Sequence, residues 1–410
     1  MKHIVRILKP KTLVSSSIIL ALVSLLVACN QDKEKTVKLV TPTVLPADGS
    51  RQLYNFYDPN FKGFVKKLQQ GRQNVHIVQL GDSHTAADFF SGKLRERFQA
   101  DYGDGGIGFI PPTNIPGQRT ANVQYQSDKK AWGLISSRKD TDPDFPLGGF
   151  ISVPESKWST LQLAENPVTQ QQYQLQALYK APTASQINIK SSGSKVLSLT
   201  QTHGQWQFSR PVSMTFPVSI TVNKTQPIKL GGWLITNQKP GVMLSTLGIN
   251  GASINMLDKW GTQWSETLGQ LKPDMVILAY GTNEAFNDTF DLDAYRQLLT
   301  EKIRQIRRVA PNSAILLVGP SDSIKNKDAS DCRSQQPQWL TGIVKIQKEV
   351  AQQEKTLFWD WRDYMGGECS IKAWSLYDLA RPDGVHLSRE GYESSANTLY
   401  SQLSALINKS

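Results

Sequence analysis

The pattern that most constrains the fold is an alternation of apolar strands and amphipathic helices that stops and later resumes. It begins with an apolar run at 75–80 and an amphipathic helix at 87–98, and it returns near Val242. Alternating strands and helices build a parallel sheet with right-handed crossovers. The sequence therefore predicts one α/β domain made from two separated pieces, residues 49–110 and 240–410.

The second piece carries most of the predicted elements. The strands are expected at 242–247, 275–280, 314–319 and 356–360, and the helices at 254–271, 292–309, 338–353 and 388–407.

Residues 111–239 have a different pattern, in which polar and apolar residues alternate in short runs separated by turn signals. The predicted strands are 172–180, 186–190, 195–200, 206–208, 218–223 and 228–235. Short strands at this spacing are typical of an all-β sandwich. We therefore expect an all-β sandwich domain inserted into the α/β domain, and its size is typical of one domain.

A Gly-Asp-Ser-His turn directly after the first strand offers a candidate nucleophile, Ser83. Open α/β sheets place their sites at this carboxyl end of the strands. Asp383 and His386 lie three residues apart just before the last helix. The carboxylate can hold Nδ1 of the ring while Nε2 faces the serine, which completes the nucleophile, base and orienting group of acyl transfer. The alternative for Asp383 is an Asx turn that only caps the loop.

Two loops between these motifs offer donors for an oxyanion. Gly248 and Gly251 follow one predicted strand, and Asn283 follows the next. Glycine amides and asparagine side chains suit a developing negative charge. The order Ser83, Gly251, Asn283, His386 resembles the SGNH (GDSL-type) hydrolase superfamily. That resemblance implies a flavodoxin-like parallel sheet flanked by helices. It also implies an oxyanion hole made by the Ser83 and Gly251 amides and the Asn283 side chain. Gly248 remains the alternative glycine, and a turn role remains the alternative for Asn283.

The amino terminus has the pattern of an export signal. Residues 1–28 contain a basic region and then an apolar run, which ends in Leu-Val-Ala before Cys29. This resembles a bacterial lipobox with lipid on Cys29, and Asn30 resembles outer-membrane sorting. A retained transmembrane helix is the alternative. The polar residues 29–48 are expected to form a flexible tether. We therefore expect a periplasmic protein held at the outer membrane of a Gram-negative bacterium.

The other two cysteines, Cys332 and Cys369, are expected to form a disulfide because an exported chain meets an oxidising compartment. Two free thiols are the alternative. No histidine has zinc-like spacing to these cysteines, so we expect no metal and no other cofactor.

Positive charge is concentrated in one part of the chain. The formal net charge is +11, and residues 151–240 contain eight basic residues against two acidic ones. A basic surface attracts polyanions, and outside the cytoplasm these are cell-wall glycopeptide or phospholipid rather than nucleic acid. The alternative is that scattered lysines only keep a β-rich surface soluble.

An insertion between the serine and glycine motifs, together with the lipobox, resembles the Neisseria-type peptidoglycan O-acetylesterases, whose insertion is similar to a carbohydrate-binding module. The resemblance implies action on peptidoglycan glycan strands through an acetyl-serine, and we expect a monomer. The alternatives are a peptidoglycan O-acetyltransferase, an esterase of another acetylated polysaccharide, and a wall-binding lipoprotein with a vestigial catalytic domain. Trp158, Trp206 and Trp233 are candidates for stacking on sugars, and burial in the core is the alternative.

Overall fold

The computed structural model describes residues 52–128, 130–140 and 144–410. The signal segment, the lipidation site at Cys29 and the tether lie outside the described residues. Within the described ranges, no helix combines the length and the apolar character needed to cross a membrane.

The strands in chain order are β1 (Leu53–Asn55), β2 (Val75–Gly81), β3 (Gly106–Ile110), β4 (Val123–Ser127), β5 (Trp132–Ser136), β6 (Phe150–Pro154), β7 (Trp158–Glu165), β8 (Gln172–Lys180), β9 (Ser185–Lys190), β10 (Ser194–Leu199), β11 (Gln207–Phe208), β12 (Val212–Thr215), β13 (Val218–Asn223), β14 (Lys229–Asn237), β15 (Val242–Gly248), β16 (Met275–Ala279), β17 (Ala314–Val318) and β18 (Leu357–Trp359). The helices are α1 (Phe61–Gln70), α2 (Ser83–Ala86), α3 (Phe90–Tyr102), α4 (Met256–Lys259), α5 (Gln263–Leu271), α6 (Thr282–Ala285), α7 (Leu292–Val309), α8 (Cys332–Gln335), α9 (Leu340–Gln353), α10 (Trp361–Met365), α11 (Ser370–Leu376) and α12 (Arg389–Ile407).

A six-stranded sheet in the order β1-β18-β17-β16-β2-β15 forms the centre of the α/β domain. Its last five strands are parallel, and β1 pairs antiparallel with β18 at one edge. Every residue of β2, β16 and β17 is buried, as expected for strands covered by helices on both faces. The predicted flavodoxin-like α/β fold is confirmed.

One predicted helix is shifted along the chain and another is divided. The helix expected at 87–98 forms as α3, three residues later at its start, and the short α2 before it was not predicted. The helix expected at 254–271 forms as α4 and α5, separated at Gly261, whose φ of +64° lies in the left-handed region. A helix cannot continue through that conformation, so the chain turns there before α5 begins.

Two antiparallel sheets form the predicted sandwich. One has the order β10-β9-β13-β7-β4, and the other has the order β11-β8-β14-β6-β5, with β12 paired to β8 and β3 paired to β14. Inward and outward residues alternate in burial along β9 and β13, and the inner side chains meet those of the second sheet in one apolar core. The second sheet begins with β3 at Gly106, whereas the sequence placed residues up to 110 in the α/β domain.

The sandwich and the α/β domain share an apolar core. Phe109 and Trp206 from the β-rich region pack in the same cluster as Leu247, Trp260 and Leu268 from the α/β domain. The insertion is therefore fixed against the parallel sheet by buried side chains, and its loops can contribute to a site at the edge of that sheet.

The three candidate tryptophans differ in exposure. Trp206 and Trp233 are buried, and their indole N–H groups donate to the carbonyls of Asp144 and Pro112. The sugar-stacking hypothesis is therefore wrong for both, because their faces are covered by protein. Trp158 is 53% exposed at the start of β7.

The structure contains a disulfide between Cys332 and Cys369. It joins the start of α8 to the residue before α11.

Candidate active site

Ser83 is held at the carboxyl edge of the sheet by a tight strand-to-helix turn. It is the first residue of α2, directly after β2, and Asp82 caps this helix by accepting a hydrogen bond from His84 N–H at 2.9 Å. A side chain at Gly81 would collide with Thr85 and with the carbonyl of Ala279. The turn therefore needs glycine before the aspartate, and it leaves Ser83 half-buried beside a cleft.

The structure brings Asp383 and His386 to Ser83 from the other end of the chain. Ser83 Oγ lies 2.8 Å from His386 Nε2, and His386 Nδ1 lies 2.9 Å from Asp383 Oδ2. An ionised carboxylate only accepts hydrogen bonds, so Nδ1 carries the hydrogen and Nε2 is free to take the serine proton. Asp383 Oδ1 also accepts the N–H groups of Val385 and His386.

These contacts determine the ionisation of Asp383. Partial burial alone would raise its pKa, but the hydrogen bonds from the N–H groups of His386 and Val385 and from the His386 ring outweigh burial and lower it. The carboxylate is therefore ionised at neutral pH, as required of a group that stabilises an imidazolium.

Three groups of the predicted oxyanion hole lie around the same cleft: Ser83, Gly251 and Asn283. Among the described residues, the N–H groups of Ser83 and Gly251 have no hydrogen-bond acceptor. Asn283 Nδ2 donates to the Ala252 carbonyl at 2.8 Å, which fixes the amide and leaves its second hydrogen available. Gly248 occupies a different environment, because a Cβ there would collide with the Ala86 backbone in α2.

Sequence reasoning did not identify the role of Glu284, which ties together the two loops that carry Gly251 and Asn283. Its Oε1 accepts the N–H of Ile254 at 2.7 Å, and its Oε2 accepts the N–H of Gly281 at 2.9 Å. The side chain is buried. The sequence carries one signal for this role, because an acidic residue directly follows the candidate donor Asn283 in Gly-Thr-Asn-Glu.

Two buried carboxyl groups, Asp82 of the nucleophile turn and Glu284, interact electrostatically. Burial raises the pKa of Glu284 to about 7, although hydrogen bonds from Ile254 and Gly281 oppose this. Burial, with a smaller contribution from the nearby charge of Glu284, raises the pKa of Asp82 to about 7 as well. Both groups therefore titrate close to neutral pH.

His84 has a local structural role. It is buried, its Nδ1 lies 2.8 Å from the Tyr392 hydroxyl, and its ring packs edge-on against Trp361. Burial, with a smaller contribution from the adjacent His386, lowers the pKa of His84 to about 3. The ring is therefore neutral, and its contacts with Tyr392 and Trp361 give it a structural role.

The cleft beside Ser83 has a volume of about 520 Å³ and is lined by loops from both parts of the fold. The inserted region contributes Gly117, Gln118, Arg119 and Arg138. Across the described ranges, no group of three or more His, Cys, Asp or Glu residues is arranged to hold a metal ion.

A parallel sheet with serine, histidine and aspartate at its carboxyl edge, beside a glycine and an asparagine, defines an SGNH/GDSL-type hydrolase. Residues 224–393 match the GDSL-like lipase/acylhydrolase family, and residues 105–219 match the family of peptidoglycan O-acetylesterase N-terminal regions. The GDSL-like match contains Gly251, Asn283, Asp383 and His386. Ser83 lies outside this match because the insertion separates it from residues 224–393.

A solved structure of a peptidoglycan O-acetylesterase is 34% identical to the chain, with a TM-score of 0.80. The alignment covers 88% of this chain and 100% of the other. The chain therefore belongs to the peptidoglycan O-acetylesterase family.

Other solved structures are more distant. A GDSL-like lipase from Parabacteroides merdae is 18% identical over 40% of this chain and 73% of its own, with a TM-score of 0.33. A family two carbohydrate esterase from Cellvibrio japonicus is 13% identical over 70% of this chain and 98% of its own, with a TM-score of 0.31. A search among curated proteins found no match.

Proposed function

We propose that the protein is a serine esterase that removes acetyl groups from the 6-hydroxyl of muramoyl residues in cell-wall peptidoglycan. The observation that carries the proposal is the 2.8 Å contact between Ser83 Oγ and His386 Nε2 in a chain that belongs to the peptidoglycan O-acetylesterase family. Family membership supports the substrate, and the contact supports the reaction class.

The proposed mechanism has two half-reactions. Ser83 Oγ attacks the acetyl carbonyl while His386 Nε2 takes its proton, and Asp383 stabilises the imidazolium. The amides of Ser83 and Gly251 and the side chain of Asn283 donate to the oxyanion. His386 then protonates the departing sugar oxygen. In the second half-reaction His386 activates a water molecule that releases acetate and regenerates Ser83.

An esterase and an acetyltransferase differ only in what attacks the acetyl-serine. The experiment is to measure acetate released from O-acetylated peptidoglycan with no added acceptor, for the wild type and for Ser83→Ala. We expect release by the wild type and none by the variant. Transfer of the acetyl group to a supplied acceptor glycan, without release of free acetate, would favour the transferase.

We also propose that the protein is a lipoprotein of the outer membrane that faces the periplasm. The Leu-Val-Ala-Cys sequence ending at Cys29 and the asparagine after it support this. Growth with a labelled fatty acid tests the proposal. The wild type should incorporate label and sediment with outer membranes, whereas Cys29→Ala should do neither. Equal labelling of both would contradict it.

The inserted sandwich is proposed to bind glycan through the outer face of its five-stranded sheet. The half-exposed Trp158 and the exposed polar side chains Thr160 and Asn188 support this, because sugars stack on aromatic faces and bond to polar neighbours. Binding to deacetylated sacculi, measured on the full chain carrying Ser83→Ala, should weaken when Trp158→Ala is added. Unchanged binding would contradict a role for this face.

A further inference from the structure

Three arginines, Arg119, Arg138 and Arg381, line the cleft that contains Ser83 and His386. All three are exposed, and no aspartate or glutamate is among the residues that line this cleft. A cleft lined by one sign of charge concentrates ligands of the opposite sign. The cleft therefore favours an anionic substrate, although an acetylated sugar ring is itself neutral.

The three arginines come from three separate loops that are fixed around the cleft. Arg119 N–H donates to the Ala86 carbonyl at 3.1 Å, and its guanidinium donates to the Asp88 carbonyl and lies over the Phe89 ring. Arg381 N–H donates to the His386 carbonyl at 2.8 Å, which places Arg381 in the turn that carries the catalytic base.

Arg138 lies beside the loop that carries Gly251. A Cβ built on Gly251 would be 3.7 Å from its guanidinium. Its turn is anchored by Ser137, whose Oγ accepts the Trp260 indole N–H at 2.9 Å. Within the described ranges, the side chains of Arg138 and Arg381 form no ion pair.

The groove next to this cleft, which Arg119 also lines, has a different balance of charge. Its other basic residues pair with carboxylates: Lys93 with Glu96 at 2.7 Å, Arg95 with Asp88 at 3.1 Å and Arg389 with Glu393 at 2.6 Å. The cleft around Ser83 instead has three arginines and no acidic residue in its lining. Guanidinium groups bind carboxylates through paired N–H donors, so carboxylates are the ligand they suit.

We infer that Arg119, Arg138 and Arg381 recognise carboxylates of the peptide attached to the muramoyl residue, and so select peptidoglycan over neutral acetylated polysaccharides. This inference rests on the proposed function. Two of the three arginines belong to the inserted region, so the insertion supplies part of the substrate specificity of the catalytic cleft.

The test compares two forms of one substrate. O-acetylated muropeptides are used either with free carboxylates or after conversion of these to methylamides under mildly acidic conditions that spare the ester. We expect the wild type to have a higher kcat/KM for the charged form, through a lower KM. Each arginine-to-glutamine variant should lose about threefold to tenfold in kcat/KM on the charged form only. Arg138→Lys should recover part of the loss.

Lys139→Gln is the matched control, because it removes the same charge one residue away at an exposed position outside the cleft lining. It should keep the wild-type preference. Equal rates of the wild type on both substrate forms would overturn the inference and leave the esterase function intact. Equal losses of each arginine variant on both forms would also overturn it. Failure of the wild type to release acetate from either form would overturn the proposed function and this inference together.

Discussion

At the scale of single residues, the site depends on which atoms can donate and which can only accept. Asp383 accepts hydrogen bonds from two backbone N–H groups and from the His386 ring. The ring is therefore held in one tautomer and one orientation, with Nε2 directed at Ser83 Oγ.

Replacing Asp383 by asparagine tests this arrangement. The new amide side chain would offer an N–H group where the ring needs an acceptor, so His386 would favour the wrong tautomer. We expect Asp383→Asn to lower kcat for acetate release by about 10³-fold with the fold retained. Asp328→Asn, at an exposed position outside the cleft lining, is the control. A loss smaller than about tenfold would contradict the assigned role.

Replacing Asn283 by alanine removes one proposed oxyanion donor. Because the oxyanion exists only in the transition state, kcat should fall by about 10²- to 10³-fold while KM changes little. Steady-state kinetics on a small acetyl ester can measure both constants. A rise in KM with an unchanged kcat would instead assign Asn283 to substrate binding.

At the scale of elements, the important feature is how two loops from neighbouring parallel strands are held together. Glu284 accepts one hydrogen bond from a backbone N–H in the loop after β15 and one from a backbone N–H in the loop after β16. It thereby fixes the distance between Gly251 and Asn283. We expect Glu284→Gln, which keeps the size but places an N–H group against one of these donors, to lower kcat by about tenfold.

The same residue should affect how stability depends on pH. The folded-state pKa of Glu284 is raised to about 7 from an ordinary value of 4.5. Between these values the folded protein binds more protons than the unfolded chain, so the free energy of unfolding should fall as pH rises and then level off above about pH 7. Denaturant unfolding at about pH 5, 6 and 7 should give a shallower fall for Glu284→Gln. An identical slope in both proteins would contradict the buried titration.

The elements differ in how well the sequence predicted them. The buried parallel strands were predicted to within about two residues at each end, because a continuous apolar run between turn signals has few other interpretations. The short β1 and the helix α1 were missed. β1 is only three residues long and depends on pairing with β18, a contact that is distant in sequence. Glu284 was missed because a buried carboxylate that bridges two loops has no local pattern.

At the scale of the whole molecule, the insertion and the α/β domain are joined by a common core. Trp260 is fully buried and donates to Ser137 in the inserted region. We therefore expect both regions to unfold in one transition, seen at the same denaturant concentration by far-ultraviolet circular dichroism and by tryptophan fluorescence. Two separated transitions would mean that the sandwich is an independent domain.

Trp260→Ala should weaken that junction. Removing a buried indole creates a cavity and leaves Ser137 without its donor, so we expect a loss of about 3–5 kcal/mol in the free energy of unfolding. Trp158→Ala, at the half-exposed tryptophan, is the matched control and should cost less than about 1 kcal/mol. Similar losses for both variants would contradict a shared core centred on Trp260.

The sequence predicted the inserted sandwich but not the way it meets the catalytic domain. Alternating burial is a local property of strands, and it was visible in β8 and β13. The buried positions of Trp206 and Trp233 and the placement of Arg138 beside Gly251 depend on how the two regions pack. Contacts of that kind join residues 62 or more positions apart in the chain, and no local pattern specifies them.

The central claim is that Ser83 carries the acetyl group during turnover. The most direct measurement is acid quenching during hydrolysis of O-acetylated peptidoglycan, followed by digestion and mass spectrometry. We predict that the peptide containing Ser83 gains the mass of one acetyl group, and that Ser83→Ala neither gains it nor releases acetate. Acetate release by Ser83→Ala at the wild-type rate, or an acetyl group trapped on another residue instead, would contradict the account.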